Sequence, residues 1–242
     1  MARQPYMTFT EHLEEFRWCL IKSLGAVVLA FALSYSISDR LFAFVAAPLK
    51  RILQPGQTLI GTGVAEAFLT EIKVALVGGL FLAAPVIFYQ IWRFFTPALR
   101  PGEKRLVIPF VVSASLFFLG GAYFCYEVVL PRAFFYFIDQ YRSLGVAPEI
   151  RIADYFTLFF RMVLAFGITF ELPVFTLFLV RLGLWNYRMM WRSFRYAIVV
   201  IFILAAILTP TPDVVNQTFL AVPMALLYLL SIGVAYIWRR GD

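Results

Sequence analysis

An apolar run at residues 155–180 is the feature that most constrains the fold of this chain. It is long enough to cross a membrane, because about 20 apolar residues span a hydrocarbon core about 30 Å thick. One carboxylate, Glu171, interrupts the run ten residues before Arg181, or about 15 Å from its basic end. An unpaired charge near the middle of a bilayer is costly. We therefore expect Glu171 to face protein or water, or to carry a proton.

Two interpretations of Glu171 stay open at this point. In the first, a neutral Glu171 is hydrogen-bonded inside a helix bundle. In the second, it is a polar docking point for a partner helix or a proton-sensitive site. Pro173, two residues later, has no amide donor and should leave the Thr169 carbonyl free, which would add a polar backbone patch to the same helix.

Composition extends the membrane assignment to the whole chain. Hydrophobic residues make up 62% of it and charged residues 14%, whereas soluble domains have about 45–50% and about 25%. We therefore expect an all-α polytopic membrane protein, with residues 1–242 forming a single integral membrane domain. The first 20 residues carry acids and aromatics, which argues against a cleavable signal sequence.

Six spans are predicted, at residues 20–37, 68–92, 106–129, 155–180, 196–208 and 214–238. The fifth has only 13 residues before Pro210, or about 20 Å of helix. Pro223 interrupts the sixth. Because such helices fit a full bilayer poorly, we expect a concave bundle with short helices five and six and a locally thinned membrane around them. The chain shows no internal repeat, which gives no support to an inverted-repeat transporter.

Long loops are predicted at residues 38–65 and 130–154, on the face opposite the termini. The two faces differ in basic residues. On the termini face are Arg3, Arg17, Lys22, Arg93, Arg100, Lys104, Arg105, Arg181, Arg188, Arg192, Arg195, Arg239 and Arg240. The opposite loops hold Arg40, Lys50, Arg51, Arg132, Arg142 and Arg151. This excess predicts that both termini are cytoplasmic, and it accounts for the net charge of +7 without any nucleic-acid partner.

Motifs for catalysis are missing from the sequence. The single histidine, His12, cannot form a zinc motif of the H-E-x-x-H type, and we interpret it as a plain interfacial residue. The chain has neither a G-x-S-x-G elbow nor a P-loop. We expect no enzymatic activity, no metal and no cofactor.

Two carboxylates on the basic face, Glu15 and Glu103, point to a cationic ligand. Arginine suits such a pair best, because its planar fork bonds carboxylates bidentately. Phe94 and Phe95 could pack against the apolar part of the ligand, or could be aromatic residues of the membrane interface. A less specific interpretation also stays open: Glu15 as a helix-dipole acid and Glu103 as a partner of neighbouring basic residues.

Several segments together resemble the TatC family, the membrane core of the twin-arginine protein translocase. Residues 11–17, EHLEEFR, are similar to the family's HLxELR opening. The similarity continues in AAPL at 46–49, APVIFYQIWRFFTPAL at 84–99, EKR at 103–105, AFGITFELP at 165–173 and TPDVVNQTFLAVP at 211–223. These segments follow the family's order along nearly the whole chain.

The resemblance implies a multi-pass protein of the bacterial cytoplasmic membrane that binds twin-arginine signal peptides. It would recruit TatA- and TatB-type single-span proteins and export folded passengers with the proton-motive force, in contact with membrane lipid and with self-association expected. The positions that match the family's signal-peptide site are Glu15, Arg17, Phe94 and Glu103. Glu171 matches its intramembrane acid, and Asp213 and Gln217 match the segment where partner helices dock.

The chain departs from the family at a few positions. Phe16 and Cys19 replace the usual Leu and Arg, the hinge reads TPTPD instead of TPPD, and Leu229 stands where Glu is common. Two alternatives from other classes stay open. One is a proton-coupled small-solute transporter with Glu171 as its relay, and the other is a structural membrane scaffold, which would not need Glu15 and Glu103.

Overall fold

The computed structural model describes residues 9–53, 57–96, 107–209 and 214–237. The helices in these ranges are α1 (Phe9–Tyr35), α2 (Ser38–Lys50), α3 (Glu66–Phe95), α4 (Val107–Phe124), α5 (Leu130–Ser143), α6 (Ile152–Phe170), α7 (Leu172–Arg181), α8 (Tyr187–Leu208) and α9 (Val214–Ile237). A π-helical turn, Cys125–Val129, joins α4 to α5 without a break.

In the part of the chain that the structure describes, six stretches of helix are long and apolar enough to cross a membrane. They are Thr10–Tyr35, Glu66–Phe95, Val107–Ser143, Ile152–Arg181, Tyr187–Leu208 and Gln217–Ile237. The described ranges contain no β-strand, only an isolated bridge between Ile60 and Arg151. Helices are expected here because backbone groups in lipid must be satisfied within the segment itself. The prediction of an all-α protein with six spans is confirmed.

The predicted loop at residues 38–65 is wrong in its first half, because α2 occupies Ser38–Lys50. This helix buries Val45, Ala46 and Leu49 against the bundle and leaves its other face outside. It is an amphipathic helix, too short and too polar to read as a span. Pro48 lies inside it.

The second predicted loop, residues 130–154, is also wrong over most of its length. The helix continues through the π-turn into α5, which ends only at Ser143. Leu130, Ala133, Phe134 and Ile138 are buried along one side of α5. Their spacing of three and four residues is that of an amphipathic helix, and Pro131 stands directly after the π-turn, at the second position of α5.

The fifth spanning helix begins at Tyr187, nine residues before the predicted start at Tyr196. Asn186 caps it, its side-chain oxygen accepting a hydrogen bond from the Met189 amide at 2.9 Å. The predicted length of 13 residues is therefore wrong, since the helix has 22. This helix and the sixth are still the two shortest spans, at 22 and 21 residues. Length alone no longer requires a thinned bilayer, so the thinning and the concave shape stay predictions.

Close approaches of the helix backbones hold the bundle together. A Cβ added to Gly79 on α3 would lie 2.7 Å from the Phe31 backbone nitrogen of α1, and one on Gly121 of α4 would lie 2.7 Å from the Phe166 carbonyl oxygen of α6. Small residues allow this in membranes, where helix association depends on packing and not on the hydrophobic effect. α1 and α3 form the most extensive helix pair. Their antiparallel packing brings the start of α1 to the end of α3.

Candidate functional site

The antiparallel pair of α1 and α3 places Phe94 beside the first turns of α1. Phe94 stacks on His12, with ring centroids 4.3 Å apart and an interplanar angle of 20°. It also meets Phe16 edge-on at 5.6 Å. His12 and Phe16 are one helical turn apart, and Glu15 lies between them on the same helix. The structure thus brings the predicted site residues Glu15 and Phe94 into one junction between two helices.

The Glu15 carboxylate is only partly exposed within this junction. Its Oε2 atom is buried and has no hydrogen-bond partner among the described residues. Glu15, Lys22 and Arg93 all lie close enough to the Cys19 thiol to act on it electrostatically. Glu15 is therefore an acid in a basic neighbourhood, with one oxygen ready to accept a hydrogen bond from a ligand.

The structure does not place the other two predicted site residues, Arg17 and Glu103, in this junction. Arg17 is exposed and follows Glu15 by two residues, about 200° around the helix. It therefore lies on a different side of α1 from Glu15, and its place in the site stays a prediction. Glu103 lies outside the described residues, so its place relative to Glu15 stays a prediction.

Glu171 occupies a break in the fourth span. α6 ends at Phe170 and α7 begins at Leu172, and the Glu171 amide donates to the Ile168 carbonyl at 3.1 Å. The side chain borders a cavity of about 260 Å³, which is otherwise lined by Leu80, Ala84, Ile87, Phe88, Phe118, Leu164 and Ile168. Oε1 of Glu171 is buried and lacks a hydrogen-bond partner in the described ranges. Glu171 thus lies at the edge of an apolar cavity with one buried carboxyl oxygen unpartnered among the described residues, and a role for it in docking a partner stays a prediction.

The two residues predicted near the start of the sixth span have different outcomes. Asp213 lies outside the described residues. Gln217 donates from Nε2 to the Phe202 carbonyl oxygen at 2.8 Å, which ties α9 to α8. Gln217 therefore holds two helices of the chain together, and a role for it in docking a partner stays a prediction.

His12 is the site residue that the sequence analysis missed, since it was interpreted as a plain interfacial side chain. The spacing of His12 and Phe16 offered a signal, because residues four apart share a helix face. What no spacing could show is the aromatic partner on α3, which is 82 residues further along the chain at Phe94.

A second polar cluster, at the opposite face of the membrane, joins the start of α3 to the start of α6. Oε2 of Glu66 accepts hydrogen bonds from the Thr62 and Gly63 amides at 2.6 and 3.0 Å, while Oε1 accepts one from the Ala153 amide at 2.8 Å. Arg151 donates to the Thr62 hydroxyl oxygen at 2.7 Å. We call Thr62, Gly63, Glu66, Arg151 and Ala153 the outer clamp, because they fix two helix starts to one loop.

Metal ligands do not gather in the described part of the chain: His, Cys, Asp and Glu form no group of three or more there that could hold an ion. The two cysteines, Cys19 and Cys125, are both free and buried.

Fold and site together define a multi-pass membrane protein with an acidic and aromatic junction at the termini face and a carboxyl group within its fourth span. Comparison with known proteins makes the class specific. Residues 11–223 match the family model described as "Sec-independent protein translocase protein (TatC)". This chain belongs to the TatC family, and it is a component of the twin-arginine translocase.

Individual relatives agree with this assignment. The TatC protein of Koribacter versatilis is 39% identical over 234 residues, 96% of this chain and 86% of the relative. That of Magnetococcus marinus is 43% identical over 224 residues, 92% of this chain and 81% of the relative. A crystal structure of the twin-arginine translocase receptor TatC superposes with a TM-score of 0.84 at 34% identity, covering 94% of this chain and 99% of that one. The predicted family is confirmed, and the solute-transporter alternative loses its basis.

Proposed function

We propose that this chain is the receptor for twin-arginine signal peptides and that it works without catalysing a chemical reaction. It would lie in the bacterial cytoplasmic membrane with both termini in the cytoplasm, as the excess of basic residues on the termini face favours. Signal peptides would bind at the junction of α1 and α3, through Glu15 and Phe94, with Glu103 and Arg17 completing the site. The observation that carries the proposal is the buried, unpartnered Oε2 of Glu15 beside the rings of His12, Phe16 and Phe94.

An arginine side chain fits this junction for two reasons. A buried carboxylate oxygen without a donor carries a desolvation cost, which a guanidinium would remove by donating a charge-assisted hydrogen bond. The adjacent aromatic rings can accept the flat face of the guanidinium, because ring faces attract cations. Lysine keeps the charge but has neither the fork nor the flat face, so a Lys-Lys signal should bind more weakly than an Arg-Arg signal.

Recognition has to be short-ranged. The termini face is basic overall, so an approaching pair of arginines meets net repulsion, screened over about 8 Å at physiological salt. Binding then depends on the few acids in place. Glu15 is such an acid, since it acts on the Cys19 thiol together with the basic Lys22 and Arg93.

Partner subunits would dock within the membrane. Glu171 is the one polar residue among the described residues that line its cavity, so the cavity suits a spanning helix that carries one polar side chain. We propose TatA- and TatB-type single-span proteins as those partners, with Asp213 and Gln217 near a second docking segment. Self-association of the chain and the use of the proton-motive force to export folded passengers complete the proposal.

Binding of Arg-Arg and Lys-Lys signal peptides to the purified chain tests the receptor function. Glu15→Gln and Glu103→Gln should each weaken Arg-Arg binding about tenfold or more, since a hydrogen bond to a charged group contributes about 1.5–3 kcal/mol. Glu14→Gln is the matched control, because Glu14 is an exposed acid next to Glu15 in sequence. If both site variants bind the Arg-Arg peptide as tightly as the control, the carboxylate pair is not the receptor site.

A further inference from the structure

A groove opens between the α4–α5 helix and α9, near the face opposite the termini. It has a volume of about 580 Å³, within the range of about 300–1,000 Å³ typical of small-molecule sites. Phe124, Val128 and Val129 line one wall, and Val215, Phe219 and Val222 line the other. Apart from Thr218 and Arg132, every lining residue is apolar.

The groove exists because two neighbouring helices diverge. In the described ranges, α9 packs substantially against α6, α7 and α8, and the α4–α5 helix is not among these partners. The wall on the α4–α5 side is the π-helical turn Cys125–Val129. A π-turn holds one more residue than an α-helical turn and is frequent at functional sites. This local widening presents Val128 and Val129 toward the gap.

Arg132 lies at the outer end of the groove. It follows Val107 by 25 residues on one continuous helix, or about 38 Å, which is beyond a hydrocarbon core about 30 Å thick. On the other wall, Val214 and Val215 stand at the start of α9. The groove therefore runs from headgroup level at Arg132 into the hydrocarbon region at Pro223, which is one of its lining residues.

The Arg132 guanidinium is held by a backbone carbonyl group and has no ion pair within the described residues. Its Nη1 donates to the Val128 carbonyl oxygen at 2.7 Å. The side chain is exposed, and no carboxylate in the described ranges forms an ion pair with it. Since an arginine has five N–H donors, several remain for an anionic ligand.

We propose that this groove is a phospholipid site, with the phosphate on Arg132 and one acyl chain between the π-turn and α9. A phosphate is the anion expected at this depth of a membrane, and basic side chains at headgroup level attract it. A spanning helix fits less well. A helix about 10 Å wide and 30 Å long occupies roughly 2,400 Å³, several times the volume of the groove.

Photolabelling of the full-length chain in bilayers tests the site. The probe is a phospholipid that carries a diazirine near the middle of one acyl chain, and the crosslinked peptides are mapped by mass spectrometry. In the wild type, crosslinks should concentrate on residues 124–129 and 214–223. Arg132→Gln should lower this labelling about tenfold, as expected for the loss of one charge-assisted contact, whereas Arg132→Lys should retain most of it.

Two further variants separate lipid binding from misfolding. Val222→Trp should block the groove and lower labelling there, because Val222 is 50% exposed and lines it. Leu226→Trp and Arg142→Gln are the controls, since Leu226 is the next exposed residue one turn along α9 and Arg142 is another exposed arginine of α5. The proposal is overturned if Arg132→Gln labels like wild type, if crosslinks spread evenly over the lipid-exposed surface, or if a single-span protein occupies the groove instead.

Discussion

The imidazole of His12 lies flat on the ring of Phe94, with centroids 4.3 Å apart and planes inclined by 20°. The two residues stand on different helices, His12 in the second turn of α1 and Phe94 at the end of α3. Phe16 closes the same junction from one turn further along α1. The contact fixes α1 against α3 at the level of Glu15. His12 is thus a positioning residue for the proposed signal-peptide site.

Replacing His12 tests this role. His12→Phe preserves an aromatic stack on Phe94, so it should bind the Arg-Arg peptide almost like wild type. His12→Ala removes the stack, which is worth about 0.5–1.5 kcal/mol beyond the burial of the rings, and should weaken binding a few-fold to about tenfold. Isothermal calorimetry on the purified chain gives both affinities. Equal losses in the two variants would show that the imidazole itself contacts the peptide.

Adjacent glycines on α4 give a matched test of helix packing. A Cβ on Gly121 would lie 2.7 Å from the Phe166 carbonyl oxygen and from the Phe170 ring, while one on Gly120 would meet nothing within 4 Å. Gly121→Ala should therefore force α4 and α6 apart and destabilise the chain by about 1–3 kcal/mol. Gly120→Ala should be neutral or slightly stabilising, since it only reduces the freedom of the unfolded chain. Thermal unfolding in detergent compares the two, and a similar melting temperature for both would contradict the close packing.

Replacing one carboxylate oxygen of Glu66 should weaken the outer clamp locally. In Glu66→Gln, one carboxylate oxygen becomes an NH₂ group, which cannot accept from a backbone amide. Either the Ala153 amide or the Thr62 and Gly63 amides then lose their acceptor. We expect a lower melting temperature and faster hydrogen exchange at these amides, with Glu149→Gln as the exposed control at the same face. Unchanged exchange at all three amides would show that the clamp does not hold the two helix starts.

Much of this architecture could be predicted because each membrane span is a continuous apolar run in the sequence. The apolar runs predicted all six spans. The cytoplasmic side of the termini, predicted from the basic residues, stays a prediction. α2 and α5 were missed because each is amphipathic and carries a proline, so neither resembles a span. The start of α8 was missed because its first turns hold Arg188, Arg192 and Arg195, which read as a loop although a helix tolerates them where it leaves the membrane.

The candidate site was also predicted in part and missed in part. Glu171 stood out as an acid within a predicted span. Glu15 and Phe94 stood out as an acid and an aromatic residue at the predicted membrane surface. The contacts that position Phe94 and that form the outer clamp join residues far apart in sequence. Phe94 meets His12 across 82 residues, and Glu66 reaches Ala153 across 87. No local pattern encodes which residues meet at such separations, because the packing of whole helices decides it.

Glu171 gives the prediction that bears most directly on partner docking. Its Oε1 is buried at the edge of an apolar cavity and has no partner in the described ranges. A polar side chain from a docked helix would satisfy it, and such a hydrogen bond does not require a charge on the carboxyl group. Glu171→Gln should therefore retain much of the export activity, because the amide keeps the shape and can still hydrogen-bond.

Glu171→Ala should impair export more, since it removes the hydrogen-bonding group and enlarges the cavity. The measurements are export of a twin-arginine passenger and crosslinking of a TatB-type helix to a cysteine at Leu80, another residue that lines the cavity. Thr169→Ala is the control, because it removes a buried polar side chain whose hydroxyl bonds only the Ala165 carbonyl oxygen among the described residues. Severe and equal losses for Gln and Ala would point to the ionised carboxylate as the working form. Crosslinking that persists in Glu171→Ala would show that the cavity docks its partner by shape, with the carboxyl group serving a later step of transport.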